Sequence, residues 1–401
     1  MSDDEGGWPL VWALALVQLI SWGSIYYSFS LFTVAMEQEL GWSRSTIEGA
    51  LSFGLLIAGL GAYPVGAWID RHGGRGVMTA GSIVGTLSLA AWSRVESVAG
   101  FYLIWAGLGL AMAATLYEPV FAVLVRRFPI SYRRRIMALT LIGGFASTVF
   151  MPLTQLCIGR FGWRDATLGL ALCNLALAVP IHGLTLRRET TRTAPVESAA
   201  QAANRTALRR ALRHPVFWGL AVAFTAYYAA FTAITFHLIP LLIDRGVSMT
   251  TAIAAVALIG PAQVAGRIGM LVFGRRLSTV AAGQAAMTLF PASLLPLLAF
   301  PGSTPGLFLF ALTYGGANGI VTIVRGTALP DLLGRQAYGA ISGALTVPAN
   351  LAKAAAPFGA ALIWSGFGDY RAVLWAVLGG GLLGAASFRY AVRRAAGRVS
   401  R

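Results

Sequence analysis

Long apolar stretches recur along the whole chain, and they decide what it can fold into. A bilayer core is about 30 Å thick, and a helix of about 20 apolar residues crosses it. Only 11% of the 401 residues are charged, whereas soluble proteins carry about 25%. Because a β-barrel would show short alternating segments instead, we predict an all-α integral membrane protein with twelve transmembrane helices. The predicted spans are 10–36, 46–69, 77–93, 98–125, 136–158, 165–186, 215–243, 250–274, 279–299, 305–328, 338–364 and 370–390.

The net charge is +16, and the positions of the arginines explain it without nucleic acid. They concentrate on alternate segments between the spans, such as 126–135 and 187–214. The positive-inside rule assigns such segments to the cytoplasm. We therefore predict a multi-pass protein of the cell (inner) membrane with both termini in the cytoplasm. Contact with anionic membrane lipids follows from this charge, and no nucleic-acid partner is expected.

A polar stretch divides the spans six and six. We predict an N-terminal six-helix bundle at 1–186, a cytoplasmic linker at 187–214 and a C-terminal six-helix bundle at 215–401. The second part of the linker is either a short basic helix on the membrane surface or a solvated segment. The halves also resemble each other: "FGWRDATLGLAL" at 161–172 matches "FGDYRAVLWAVL" at 367–378, and two shorter pairs repeat at nearly the same spacing. Internal repeats with a site between them are typical of secondary transporters.

Few ionisable side chains lie inside the spans, where a charge costs about 3 kcal/mol or more. Lys353, in "PANLAKAAAPFGAAL", is the only lysine of the chain and lies in the middle of the eleventh span, and Arg267 lies inside the eighth. Unlike arginine, a lysine loses its proton when it is desolvated or set near another cation. Neither cation has an obvious acid nearby, and an unpaired buried charge is costly unless an anion completes it. We predict that both bind a small organic anion.

Each cation has a second interpretation. Lys353 could instead be satisfied by hydrogen bonds to neighbouring carbonyls or to a carboxylate, and Arg267 could instead serve gating alone. Around them, five side chains are expected to offer hydrogen bonds to the substrate, although tyrosines at a membrane interface and polar packing between helices give the same pattern. These five are Tyr26, Tyr27, Tyr117, Asn318 and Asn350.

Three further ionisable residues are candidates for gating or coupling. Glu118 in the fourth span and Arg325 in the tenth lie at equivalent places in the two halves, so we expect a salt bridge that closes the cytoplasmic side. In the competing interpretation, Glu118 carries protons. His237, near the outer end of the seventh span, either responds to pH near neutrality or only forms a hydrogen bond to a neighbour.

The loop between the second and third spans, "GAWIDRHGGRG" at 66–76, resembles the cytoplasmic loop motif of the major facilitator superfamily. The resemblance implies that Asp70, Arg71 and Arg75 hold helix ends together and release them as the carrier changes state. The corresponding loop of the second half, at 266–278, keeps a basic pair but has lost the acid. The resemblance therefore implies an asymmetric latch.

The combination of Arg267 and Lys353 resembles the oxalate–formate antiporter and monocarboxylate-transporter branch of that superfamily. The corresponding cations there bind organic carboxylates, which implies a mono- or dicarboxylate as the substrate. Gln263 stands where animal monocarboxylate transporters have an aspartate, so their proton-coupling scheme does not carry over.

From these observations we predict a secondary active transporter that works by alternating access, either as a proton symporter or as an anion exchanger. It is expected to be a monomer, without catalytic residues, cofactor or metal. The alternative function is a proton-driven exporter of a cationic or lipophilic compound that uses Glu118.

Overall fold

The computed structural model describes residues 7–186, 194–273 and 278–396, and within these ranges the chain is helical and contains no strand. The earlier part of the chain forms α1 (Trp8–Ser21), the π-helix π1 (Trp22–Tyr27), α2 (Phe29–Leu40), α3 (Arg44–His72), α4 (Arg75–Trp92), α5 (Val98–Thr115), α6 (Tyr117–Arg127), α7 (Tyr132–Gly143), α8 (Ala146–Cys173), the π-helix π2 (Asn174–Ala178) and α9 (Val179–Thr185). The later part forms α10 (Ala194–Arg213), α11 (Pro215–Asp244), α12 (Met249–Phe273), α13 (Thr279–Ser293), α14 (Leu295–Ala299), α15 (Thr304–Leu333), α16 (Tyr338–Phe367) and α17 (Tyr370–Ala396).

Within the described ranges, nine spans are long and apolar enough to cross a membrane. The longest, Tyr132–Thr185, contains two predicted spans, and α8 within it is kinked at Gly162, whose φ of 81° is not helical. Two predicted spans, which correspond to α4 and α16, are not among these nine because they are less apolar. Arg75 opens α4, and α16 contains Asn350, Lys353 and two prolines.

The predicted fourth span (98–125) consists of two helices that are separated at Leu116, whose backbone is extended. Pro119 explains the break, since a proline has no N–H to donate to the carbonyl four residues earlier. That carbonyl belongs to Thr115, and it accepts a hydrogen bond of 2.6 Å from the side-chain amide of Gln18 instead. Hydropathy alone does not detect such a break.

The chain forms two compact units. Unit 1 contains the described residues of Met1–Arg209 together with Arg335–Val347, and unit 2 contains those of Arg210–Gly334 and Pro348–Arg401. The boundary within α16 therefore falls just before a proline. The division into two bundles and a linker drawn from the sequence stays a prediction.

Unit 1 has a core of large aromatic side chains from α2, α4 and α5. Phe32, Trp92, Phe101 and Trp105 are fully buried, and Trp92 contacts the other three rings at centroid distances of 5.1 to 5.7 Å. Rings at these distances and inclinations attract each other beyond the effect of burial alone. This core fixes the helices that carry the unit 1 site residues.

One end of unit 1 is held by a charged clamp. Glu39, in the last turn of α2, accepts hydrogen bonds from the indole N–H of Trp163 (2.5 Å) and from Nε of Arg164 (2.8 Å). Arg164 also donates to the carbonyls of Ser93 and Val95. The hydrogen bond from Arg164, followed by that from Trp163, lowers the pKa of the Glu39 carboxyl below its ordinary value of 4.5.

Unit 2 is built on a close contact between α12 and α15. Glycines let the two backbones approach: a Cβ on Gly266 would collide with the carbonyl of Gly316, and one on Gly319 with that of Gln263. Small residues at helix contacts of this kind are common in membrane proteins. The contact fixes the position of Arg267, the residue that follows the first of these glycines.

Candidate functional site

Arg267 is buried in unit 2, with only 5% of its surface exposed. Its Nε and Nη1 atoms are also buried, and they have no hydrogen-bond partner within the described structure. A buried charge without partners is strongly unfavourable. The described structure therefore leaves this buried guanidinium only partly satisfied.

Tyr227 of α11 lies beside this arginine, close enough for an electrostatic interaction with it. The Tyr227 hydroxyl donates a 2.7 Å hydrogen bond to Oδ1 of Asn318 on α15. The predicted site residue Asn318, which is 9% exposed, is thus held by a tyrosine that interacts with Arg267. The sequence pattern did not indicate Tyr227.

Lys353 reaches the same part of α11 from α16. Its Nζ atom lies 4.0 Å from the ring centroid of Tyr228, a distance at which a cation is attracted to the face of an aromatic ring. The rings of Tyr227 and Tyr228 are 5.2 Å apart. Of these two adjacent tyrosines of unit 2, Tyr227 therefore interacts with Arg267 and Tyr228 with Lys353.

The sequence does carry a signal for this tyrosine pair. The dipeptide "YY" occurs twice in the chain, at 26–27 and at 227–228, and only the first was interpreted as a site. In a chain with 12 tyrosines, the second pair did not stand out from ordinary membrane-helix composition.

Lys353 lies between two prolines of its helix, Pro348 and Pro357. Pro357 has no N–H for the carbonyl of Lys353, which weakens the helix at this residue and favours a bend. Asn350, also a predicted site residue, lies nearly one turn earlier on the same helix, and both side chains are half-buried.

His237 connects three helices of unit 2. Its Nε2–H donates to the carbonyl of Pro357 on α16 at 3.0 Å, and its Nδ1 lies 3.4 Å from the hydroxyl of Tyr370 on α17. A carbonyl only accepts, so Nε2 carries the proton of the hydrogen bond to Pro357. The gating or coupling role of His237 stays a prediction.

In unit 1 the predicted tyrosines lie around the π-helix π1. Trp22 contacts Tyr26, Tyr27 and Tyr117 at ring-centroid distances of 5.4, 6.0 and 5.1 Å. Its indole N–H is buried without a hydrogen-bond partner. Single-turn π-helices frequently occur at functional sites, and the sequence pattern indicated neither π1 nor the role of Trp22 as the centre of this cluster. The contribution of the three tyrosines to substrate binding stays a prediction.

Asp70 holds the first turn of α16. One carboxylate oxygen accepts from the amide of Gly339 at 2.9 Å and the other from the amide of Ala340 at 2.8 Å. These amides have no partner within their own helix, and the positive end of the helix dipole favours an acid there. Gly66 and Gly339 face each other without room for a Cβ on either, so only glycines allow this approach.

The arginines near Asp70 differ in their exposure and contacts. Arg126, which the sequence analysis did not single out, donates to the carbonyls of Ile69 and Asp70 at 2.5 and 2.6 Å. Arg71 is exposed, and Arg75 is half-buried at the start of α4. The gating roles of Asp70, Arg71 and Arg75 stay predictions.

Glu118 and Arg325 belong to different units, and their salt bridge stays a prediction. Glu118 is half-buried in the first turn of α6. Arg325 is 4% exposed, and its guanidinium lies 5.2 Å from the ring centroid of Phe224. Among the described residues, no group of three acidic, histidine or cysteine side chains is arranged to hold a metal ion.

A helical membrane protein made of two compact units, with polar residues buried at mid-helix, has the features of a secondary carrier. The chain belongs to the Major Facilitator Superfamily, whose family model matches residues 14–357. It is therefore a multi-pass membrane transporter and not an enzyme, and the predicted major facilitator fold is confirmed.

Curated relatives and solved structures agree with this assignment. Monocarboxylate transporter 13 of Bos taurus is 27% identical over 336 residues, covering 83% of this chain and 76% of that protein. Monocarboxylate transporter 11 of Homo sapiens is 27% identical over 407 residues, covering 96% of this chain and 83% of that protein. The fucose:proton symporter FucP of E. coli has the same fold at 14% identity, with a TM-score of 0.73 over 96% of this chain and 98% of that chain.

Proposed function

We propose that this transporter carries a small organic anion, with Arg267 and Lys353 as the residues that bind its carboxylate. The observation that supports this most directly is that Arg267 is only 5% exposed and that two of its guanidinium nitrogens have no hydrogen-bond partner in the described structure. A carboxylate binds a guanidinium through two parallel hydrogen bonds. A bound organic acid would therefore supply the partners that Arg267 lacks.

The relatives support the same substrate class. Two proteins named monocarboxylate transporters match most of this chain. We infer a mono- or dicarboxylate, recognised by its charge at Arg267 and Lys353 and by hydrogen bonds from Asn318 and Asn350.

Coupling follows from the chemical difference between the two cations. Arginine remains charged in a protein, whereas a desolvated lysine exchanges its proton. If proton and anion bind cooperatively at Lys353, each raises the affinity for the other by the same factor, and the transporter is a proton symporter. If Lys353 stays charged in the empty site, reorientation without an anion is unfavourable and the protein is an exchanger. We propose that the protein acts in the cell membrane with both termini in the cytoplasm.

The test uses the purified protein in liposomes and a panel of radiolabelled organic acids. Net uptake and counterflow are compared with and without a pH gradient, for the wild type and for Arg267→Gln. We expect saturable uptake of at least one carboxylate and its loss in the variant. Wild-type uptake by Arg267→Gln would contradict the proposal.

The same preparation tests the alternative function. A proton-driven exporter would bind a lipophilic cation tightly, and Glu118→Gln would abolish that binding. We expect no such binding. We also expect Glu118→Gln to take up the same organic acids as the wild type.

A further inference from the structure

A surface groove lies between the start of α11 and the end of α17 in unit 2, apart from the residues proposed for the substrate. Its volume is about 390 Å³, and it is lined by Trp218, Gly219 and Val222 of α11 and by Ala386, Ser387 and Tyr390 of α17. The floor is shallow because Gly219 packs directly on the backbone of Ala391.

The walls of the groove are exposed aromatic and aliphatic side chains. Trp218 is 58% exposed, Tyr390 43% and Val222 41%. Tryptophan and tyrosine are enriched where a membrane protein meets the boundary between acyl chains and headgroups. The groove therefore offers an apolar surface whose aromatic residues are typical of the level in the membrane at which the lipid headgroups begin.

Two arginines lie next to residues that line this groove. The guanidinium of Arg394 lies 5.3 Å from the ring centroid of Tyr390. The indole N–H of Trp218 donates to the carbonyl of Leu212 at 2.9 Å, which holds the last turn of α10, with the exposed Arg213, next to the groove. Within residues 210–225 and 384–396 there is no aspartate or glutamate.

We propose that this groove binds one phospholipid with an anionic headgroup. The acyl chain would lie on Trp218, Val222 and Tyr390, and the phosphate would lie at Arg394 and Arg213. A zwitterionic lipid offers the same acyl chain, but its own ammonium competes with the arginines for the phosphate. The arginines near the groove have no acidic residue close to them in sequence, and this positive charge favours an anionic headgroup.

Trp218 lies in the groove and provides the measurement. Bromine atoms on an acyl chain quench tryptophan fluorescence at short range. The full-length protein is placed in phosphatidylcholine liposomes that contain equal amounts of either brominated phosphatidylglycerol or brominated phosphatidylcholine. The difference between the wild type and Trp218→Phe isolates the quenching of this one indole.

We expect brominated phosphatidylglycerol to quench Trp218 more than brominated phosphatidylcholine does. Replacing Arg394 and Arg213 by glutamine should reduce the preference for phosphatidylglycerol by about fivefold for each arginine, since each contributes at this order of magnitude near a membrane surface. Ala386→Phe, which fills the groove at an exposed position, should reduce the quenching of Trp218 by both brominated lipids.

Trp364 of α16 is the matched control, because it is also exposed, at 41%, and residues 354–370 contain no basic residue. The difference between the wild type and Trp364→Phe should show no headgroup preference. Equal quenching of Trp218 by both lipids would overturn the proposal, and so would a preference that Arg394→Gln and Arg213→Gln leave unchanged. Displacement of brominated phosphatidylglycerol by soluble glycerol phosphate would also overturn it, because it would indicate a site for the free anion.

Discussion

The two units differ in how the surrounding protein satisfies their buried and half-buried charges. In unit 1, the carboxylate of Asp70 is bound by two backbone amides of α16. Arg135, which is 1% exposed, donates from Nε to Ser131 at 2.7 Å, and its guanidinium lies 3.7 Å from the ring centroid of Phe128 and 5.1 Å from that of Trp8. These charges hold parts of the same unit together.

In unit 2, Arg267 is buried almost as deeply, but two of its nitrogens have no partner within the described structure. Tyr227, which interacts with this arginine, donates its hydroxyl hydrogen to Asn318. Burial by itself therefore does not distinguish a structural arginine from a binding one. The two arginines differ in how many guanidinium nitrogens are satisfied: Nε of Arg135 donates to Ser131 and only its Nη1 is buried without a hydrogen bond in the described structure, whereas both Nε and Nη1 of Arg267 are.

The largest expected effect is that of Arg267→Gln on transport. Loss of the cation that pairs with a buried carboxylate should lower kcat/KM for organic-acid uptake by about 100-fold or more. Because the empty site holds an uncompensated charge, its removal should leave the thermal unfolding midpoint unchanged or raise it. A variant that both loses uptake and unfolds at a clearly lower temperature would show that Arg267, like Arg135, is structural.

Lys353 variants sharpen the comparison within unit 2. Lys353→Ala should lower uptake by about 10- to 100-fold, the effect of removing one charge-assisted hydrogen bond. Lys353→Arg keeps the charge but cannot release a proton. If coupling depends on that proton, this variant should retain exchange in counterflow assays and lose the stimulation of net uptake by a pH gradient. An unchanged response to the gradient would exclude Lys353 as the coupling residue.

Arg135→Gln should have the opposite pattern to Arg267→Gln. It removes a desolvated cation from the faces of Phe128 and Trp8, an interaction of about 2 kcal/mol. We expect a lower free energy of unfolding and, in the folded fraction, an unchanged KM for organic acids. Unfolding in denaturant with the wild type and Arg267→Gln side by side provides the measurement, and equal stabilities of the two variants would contradict the distinction.

The sequence predicted the fold well because helix positions in a membrane follow from hydropathy. The predicted seventh span, 215–243, corresponds to α11 (Pro215–Asp244), and the eleventh, 338–364, to α16 (Tyr338–Phe367). The break at Leu116 was not predicted, because it depends on Pro119 and on a distant hydrogen bond from Gln18. Hydropathy averages over a window and does not register either.

The site was predicted less completely. Lys353 and Arg267 stand out because charges are rare in apolar spans. Tyr227 and Tyr228 do not stand out, because aromatic residues are common in such spans and only the packing of the helices shows which rings interact with a cation. The acid of the loop at 66–76 was predicted by motif, but its partners, the amides of Gly339 and Ala340, are backbone atoms that no sequence pattern marks.

Asp70→Asn tests the contact between Asp70 and the first turn of α16. The corresponding loop of the second half, at 266–278, has no such acid in its sequence. The amide keeps one acceptor oxygen but loses the charge and the second acceptor, at a cost of about 1 to 2 kcal/mol. We expect hydrogen exchange to become faster by about tenfold in a peptide that contains Gly339 and Ala340, since protection follows the free energy of local opening. The control is Arg71→Gln, which alters an exposed neighbour on the same loop, and equal exchange in both variants would exclude Asp70 as the stabilising group.

The smallest expected effect concerns the clamp at Glu39. Its side chain is 47% exposed and that of Arg164 is 31% exposed, so solvent screening limits the pair to less than about 1 kcal/mol. The folded state lowers the pKa of Glu39, and its contribution to stability is therefore present above the ordinary pKa and lost as the pH falls through the lowered value.

Glu39→Gln should accordingly unfold at a slightly lower temperature than the wild type at neutral pH, and this difference should shrink below about pH 4. Glu37→Gln, two residues earlier on the same helix, is the control for a change in net charge. A destabilisation by Glu39→Gln that stays constant from neutral to acidic pH would mean that the hydrogen-bond geometry around Trp163, and not the carboxylate charge, holds this end of unit 1. In that case not every charge of unit 1 would stabilise the unit, and the contrast with Arg267 would be weaker.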